Sequence, residues 1–351
     1  MLRIGILTFH WAANHGAILQ TYASYSYLKN ELGVSDVKVI DYLPASREIN
    51  FKNAIRPNYP RVIIGRLKAL RKEKNLREFR SFLPLSDRYY TNKELIDSPP
   101  DVDLLITGSD QVWNPSYAMY GEGGPTPVYF LNFGTSNCKK VAMSVSFGCS
   151  EYPQNAYEIV KPYVSKFDKI SVRENTGINI LEKFGYEGAV VTADPTALIA
   201  REQYISLCGD SKSPSKYTAT CFLRKKRRPI AKDIKRLLNR IGDPILNIEK
   251  KSMRDWLSGI RDAGMVVTDS FHCVMMCLKL HTPFVVVGVD GAMIGMNDRF
   301  YTLLDRFGLT HRIATSYDSI DLNEEFDWAK IDTCMENYAL SLKEYLKSII
   351  D

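Results

Sequence analysis

The chain has 351 residues, enough for two domains, and its 45% hydrophobic and 25% charged residues are those of an ordinary globular protein. No apolar stretch approaches the roughly 20 residues of a membrane span. The seven cysteines include no CxxC pair, which argues for reduced thiols in a cytoplasm rather than a disulfide framework or a zinc site.

Taken in chain order, short β-branched runs alternate with longer amphipathic ones, the pattern of an α/β protein. MLRIGILTFHWAANHG opens with a strand (3–9) rather than a signal peptide, followed by a helix over 16–32 and a second strand at 37–42. Residues 60–82 carry eight Lys/Arg against two Glu, a basic amphipathic segment suited to phosphates or an anionic surface. Strands are predicted at 103–108, 140–148, 169–173 and 189–195, with helices at 155–166 and 174–184. A polar, Ser/Pro-containing stretch at 201–217 reads as a linker. The alternation then restarts with strands at 217–223, 244–248, 265–269 and 283–288, and helices from about 230, at 252–262 and at 271–280. Apolar residues at 331, 334, 335, 338, 342, 345, 346 and 349 form a helical stripe along 327–350.

This order predicts two Rossmann-like α/β domains facing across a cleft: an N-terminal domain over 1–205, a C-terminal domain over 206–325, and a C-terminal helix (326–351) docked on the body. Ligands of such sheets sit beyond the carboxyl ends of the strands. After the first strand, HWAANHGA offers His10, Asn14 and His15 with Gly16 at the mouth of a helix, but no GxGxxG fingerprint. After the third predicted strand, TGSDQVWNP offers Ser109, Asp110 and Gln111. Arg173 closes the strand of SVRE, where a guanidinium is suited to hold a carboxylate or phosphate. RKKRR at 224–228 places Arg224 and Lys226 beyond another strand end. In VVTDSFHCV, Asp269 or Ser270 caps a helix beginning near Phe271, with His272 in its first turn. Cys273 and Cys277, one turn apart, read as small core residues. Cations, hydroxyls and a histidine at strand ends point to a polyanionic small substrate. No metal-ligand cluster and no glycosidase-type carboxylate pair is visible, and the basic runs lack the interleaved aromatics of a nucleic-acid binder.

GILTFHWAANHGAILQTYAS, DLLITGSDQVWNP, ISVRE, ADPT and AGMVVTDSFHCVMMCLKLHTPF, in that order, resemble the bacterial polysaccharide pyruvyl transferase family. The resemblance covers residues 3 to about 310. It implies a GT-B-like fold, no cofactor, and phosphoenolpyruvate as donor to the hydroxyls of a glycan acceptor, free or lipid-linked. The product is then a pyruvate ketal and the by-product phosphate. On this resemblance His272 is the general acid/base, and Arg173, Ser270, Arg224 and Lys226 hold the donor. His10, Asn14, Gly16 and Gln111 hold the acceptor, and Asp110 takes the proton of the attacking hydroxyl. A lipid-linked acceptor implies peripheral contact with the cytoplasmic face of the inner membrane, with Val62, Ile63, Leu67 and Leu70 turned inward and the cations toward headgroups. The chain departs from the family pattern at Ser270, where other branches carry arginine, and at Cys273, where glycine is frequent. Two rival readings remain at this point: a nucleotide-sugar glycosyltransferase of the same shape, and a non-catalytic component of glycan assembly.

Overall fold

The computed structural model describes residues 1–351 except 45–46, 49–59, 211–215, 224–230, 289–296, 317 and 351. The chain divides into two compact units, Met1–Leu198 with Ser341–Asp351, and Ile199–Leu340. The boundary thus precedes the expected linker, because Arg201–Leu207 is a helix of the second unit rather than part of a connection.

The first unit is built on seven strands: β1 (Arg3–Leu7), β2 (Asp36–Tyr42), β3 (Leu85–Tyr89), β4 (Leu104–Asp110), β5 (Lys139–Val145), β6 (Lys169–Val172) and β7 (Val190–Val191). They pair in the order β3-β2-β1-β4-β5-β6-β7, every described pair parallel. That is the doubly wound order, and its direction reverses between β1 and β4. The strand interiors are near-continuous apolar runs because both sheet faces are covered; Ile4, Ile6, Leu104 and Ile106 are all buried. The helices are α1 (His15–Ser26), continued as a π-helical turn to Glu31, α2 (Pro60–Arg80), α3 (Asn92–Asp97), α4 (Pro115–Tyr120), α5 (Gln154–Val164) and α6 (Asn175–Lys183). Beside this sheet an aromatic group forms around the buried Trp113, stacked on Phe130 at 4.6 Å and edge-on to Phe147 at 5.4 Å.

In the second unit, α7 (Arg201–Leu207) precedes β8 (Thr218–Cys221), α8 (Ala231–Ile241), β9 (Ile245–Asn247), α9 (Met253–Arg261), β10 (Met265–Thr268), α10 (Phe271–Leu280), β11 (Phe284–Val287), α11 (Asp298–Arg306) and β12 (Ile313–Ala314). This sheet is also parallel, in the order β12-β11-β10-β8-β9, and reverses between β8 and β10. α10 is buried along its whole length, including Cys273 and Cys277, which are core residues.

The last helix, α12 (Trp328–Ile350), belongs to the second unit up to Leu340 and to the first from Ser341. Its apolar stripe is buried at Ile331, Met335, Tyr338, Leu342, Tyr345, Leu346 and Ile349. In the second unit Tyr338 meets Phe307 edge-on at 6.2 Å, and in the first the Tyr345 hydroxyl donates to the Ala142 carbonyl at 2.8 Å. Among the described residues no helix is long and apolar enough to cross a membrane.

Candidate functional site

Each sheet reverses its strand order once, and several of the described residues singled out in the sequence follow the strands at these two places. In the first unit the reversal lies between the ends of β1 and β4. Gly108 lets the end of β4 lie close against β5: with φ +109, a Cβ there would stand 2.3 Å from the Met143 carbonyl oxygen. Asp110 follows with φ 76, a left-handed turn that carries its side chain out of the strand's alternation. Gln20 on α1 ties the two strand ends together. Its amide donates to the Thr8 hydroxyl at 2.8 Å, its oxygen accepts from Ser109 N–H at 3.1 Å, and Thr8 donates on to the Ser109 carbonyl at 3.0 Å.

Arg173 occupies the centre of a buried charge network. Nη1 donates to Asp194 Oδ2 at 2.9 Å and Nη2 to Asp110 Oδ1 at 3.4 Å, with Glu174 Oε2 at 3.9 Å from Nε. Burial disfavours the guanidinium charge, but the three carboxylates outweigh it and raise its pKa. The Arg173 side chain is 0% exposed. Its charge is met inside the first unit, where it holds Asp110 and the Asp194 turn. Asp194, from the ADPT motif, also accepts from Thr196 N–H at 3.0 Å and from the Ser109 hydroxyl at 3.3 Å. Sequence reading passed over Asp194, Glu174 and Gln20; the aspartate's place in a family motif was the available signal.

The HWAANHGA loop also departs from expectation. His10 is buried (1% exposed), its Nε2 3.0 Å from Asp41 Oδ1 and its Nδ1 3.3 Å from the Thr8 carbonyl. Arg88 donates to the other Asp41 oxygen at 2.8 Å. Burial pushes the Asp41 carboxyl up, yet the hydrogen bonds from His10 and Arg88 prevail and hold it below its usual value. His10 thus fastens β1 to β2. Asn14 is the N-cap of α1, accepting the Gly16 N–H at 3.0 Å, so that donor is already used. His15 is buried in the first turn. Gln111 keeps a donor in hand: it lies against Gly148, whose lack of a Cβ makes room for it, and its buried amide nitrogen has no partner among the described residues.

In the second unit the reversal lies between the ends of β8 and β10. Thr268 donates its hydroxyl to the Cys221 carbonyl at 2.6 Å and accepts Ser270 N–H at 3.0 Å. Asp269 accepts Leu223 N–H at 2.6 Å. These bonds tie the β8 and β10 ends together and aim the first turn of α10. Ser270 is its N-cap residue by position, and its hydroxyl makes no capping bond. His272 stands in that first turn, 5% exposed, edge-on to the Phe271 ring at 5.4 Å. The guanidinium carbon of Arg299, on α11, lies 6.0 Å from the centre of the Phe271 ring. Sequence reading missed Arg299, a lone arginine in MNDRF. Arg224 and Lys226 lie outside the described residues. Among the described residues no group of three or more His, Cys, Asp or Glu is placed to hold a metal ion.

The sequence profile of the polysaccharide pyruvyl transferase family matches residues 14–291, a span that includes Asp110, Arg173 and His272. No curated protein sequence matches the chain. Among solved structures it is similar to S. aureus MnaA with UDP, at 11% identity over 99% of this chain and 96% of that one, TM-score 0.53. An uncharacterised protein from Klebsiella pneumoniae aligns at 14% identity, 89% and 92% coverage and TM-score 0.46. E. coli ADP-heptose heptosyltransferase II aligns at 10% identity, 96% and 99% coverage and TM-score 0.37. The likeness to MnaA is one of fold, α/β with two parallel sheets in the GT-B-like class. With its family profile matched across most of its length, the chain belongs to the polysaccharide pyruvyl transferase family.

Proposed function

We propose that this transferase of polysaccharide biosynthesis moves the pyruvyl group of phosphoenolpyruvate to hydroxyls of a surface-glycan precursor. The observation that carries the reading is His272, set in the first turn of α10 at the reversal point of the second sheet within a chain of this family. His272 delivers a proton to the donor's methylene carbon, and C2 becomes an oxocarbenium-like electrophile. A sugar hydroxyl attacks C2, phosphate departs, and a neighbouring hydroxyl closes the ketal. Such acid–base assistance is worth roughly 10²–10⁴-fold.

The donor needs cations. With Arg173 committed to carboxylates, Arg299 is the described arginine of the second unit that takes this part, beside the uncapped hydroxyl of Ser270 and the N-terminus of α10. In the first unit Asp110 accepts the proton of the attacking hydroxyl, and the Gln111 amide donates to an acceptor oxygen. For a lipid-linked acceptor, α2 supplies a membrane-facing surface: Ile64 is 52% and Leu67 38% exposed, beside exposed Arg66, Arg71 and Lys74. Leu67 is therefore not turned inward as the sequence suggested, whereas Ile63 and Leu70 are half-buried.

Calorimetric titration with phosphoenolpyruvate, then with UDP-, GDP- and dTDP-sugars, tests the donor. Phosphoenolpyruvate binding that Arg299→Ala weakens about tenfold supports the reading. Binding of a nucleotide-sugar alone overturns it in favour of a glycosyltransferase.

A further inference from the structure

A concave region of the first unit is lined by residues that follow β1 and β2 together with residues of α2 and β3. It encloses about 370 Å³, the low end of the size of small-molecule sites, between α2, the Trp11 loop and the ends of β2 and β3. Four arginines line it, Arg47, Arg77, Arg80 and Arg88, against two glutamates, Glu48 and Glu73.

The charges divide into a built part and an open part. Arg80 is locked: both terminal nitrogens hold the Glu73 carboxylate, and Nη2 also faces the Trp11 carbonyl at 3.2 Å. Glu73 is buried, so this pair forms part of the wall. Arg88 gives its Nε to Asp41 and also interacts with Tyr90, so it is held to the sheet. Arg47 and Arg77 have no carboxylate partner among the described residues; Arg47 lies over the Tyr117 ring at 5.7 Å. Two guanidinium groups without a carboxylate partner among the described residues match a ligand carrying two negative charges. Arginine forks suit phosphoryl oxygens in particular.

The lining also says what the pocket does not do. Arginines stay protonated and transfer no proton, and among the described residues the lining contains no histidine or lysine. Phosphoenolpyruvate must be protonated to react, so this pocket holds an anion rather than activating one. We propose that it binds the diphosphate of a diphosphate-linked sugar, and, resting on the pyruvyl-transfer reading, that this sugar is the acceptor. The same diphosphate chemistry occurs in prenyl-diphosphate-linked sugars and in nucleotide diphosphate sugars. Trp11, half-buried at the pocket wall, supplies an apolar face for the sugar ring.

The test titrates the full chain with inorganic pyrophosphate, and separately with phosphoenolpyruvate, in wild type, Arg77→Ala, Arg77→Lys and Arg47→Ala/Arg77→Ala. Expected are pyrophosphate binding that weakens about tenfold in Arg77→Ala and further in the double variant, partial retention in Arg77→Lys, and unchanged phosphoenolpyruvate binding. A short-chain prenyl-diphosphate sugar and a UDP-sugar, compared in the same variants, identify the source: the one bound more tightly and lost with Arg77 is the ligand. Pyrophosphate binding that is absent, or indifferent to both arginines, overturns the proposal. So does loss of phosphoenolpyruvate binding in the same variants, since the pocket would then be the donor site. Wild type that binds pyrophosphate through these arginines but never phosphoenolpyruvate keeps the diphosphate pocket and removes the pyruvyl-transfer reading.

Discussion

Arg173 Nη1 lies 2.9 Å from Asp194 Oδ2, and neither side chain reaches solvent. Removing one partner of such a pair leaves a buried charge without compensation. The consequences here run to Asp110 and the Ser109 hydroxyl, both joined to the same group of charges.

Arg173→Ala is expected to lower unfolding stability by about 3–5 kcal/mol in denaturant titration. Phosphoenolpyruvate affinity of the protein that remains folded should be unchanged. A variant of wild-type stability with lost donor binding would return Arg173 to the role its strand-end position suggested.

Gly108→Ala places a methyl group 2.3 Å from the Met143 carbonyl at a positive φ. Strain and overpacking together should cost about 2–5 kcal/mol. Gly185→Ala is the control, since it also has positive φ but meets nothing within 4 Å. The Gly108 variant should be the less stable of the two by thermal unfolding.

Asp41 titrates below its usual value in the folded chain. A depressed carboxyl contributes stability that is fully present above the unfolded pKa, about 4, and is lost as pH falls through the folded value. Asp41→Asn should therefore be less stable than wild type at pH 7, with the gap narrowing below pH about 4. A gap constant from pH 7 to pH 3 would show that the carboxylate charge is not what His10 and Arg88 recognise.

His272→Gln should reduce phosphate release from phosphoenolpyruvate in the presence of acceptor by about 10²–10⁴-fold while phosphoenolpyruvate still binds. Equal loss of binding and turnover would make His272 a donor ligand rather than the acid.

Vesicles of phosphatidylglycerol should sediment the chain, and phosphatidylcholine vesicles should not. Ile64→Glu/Leu67→Glu should abolish the effect, because these exposed apolar residues lie among the cations of α2. Sedimentation that ignores lipid charge would remove membrane contact from the proposal.

Much of this was legible in the residues. β-branched runs and helical periodicity located most strands of both sheets and several of the helices between them, because burying both faces of a parallel sheet demands apolar runs. The short elements escaped: β3 (Leu85–Tyr89) and α3 (Asn92–Asp97) follow the basic helix with too few apolar residues for either period to register. The strand predicted over 189–195 shrank to Val190–Val191, since Asp194 turns inward to cap Thr196 and hold Arg173.

Residue types and spacing by themselves determined the α/β class, the doubling of the pattern, and the strand ends at which chemistry-bearing residues collect. They determined this because periodicity and end position are local properties of a chain. Which of those residues are spent on the fold was decided only by tertiary structure. His10 is consumed by Asp41, Asn14 by the α1 cap and Arg173 by Asp194, partners 31, 2 and 21 residues away. A polar side chain bonds whatever is nearest in space, and for His10 and Arg173 that neighbour sits on another strand or turn. What the packing leaves in place, His272 in the first turn of α10 and the arginines beside α2, is where its chemistry is to be sought.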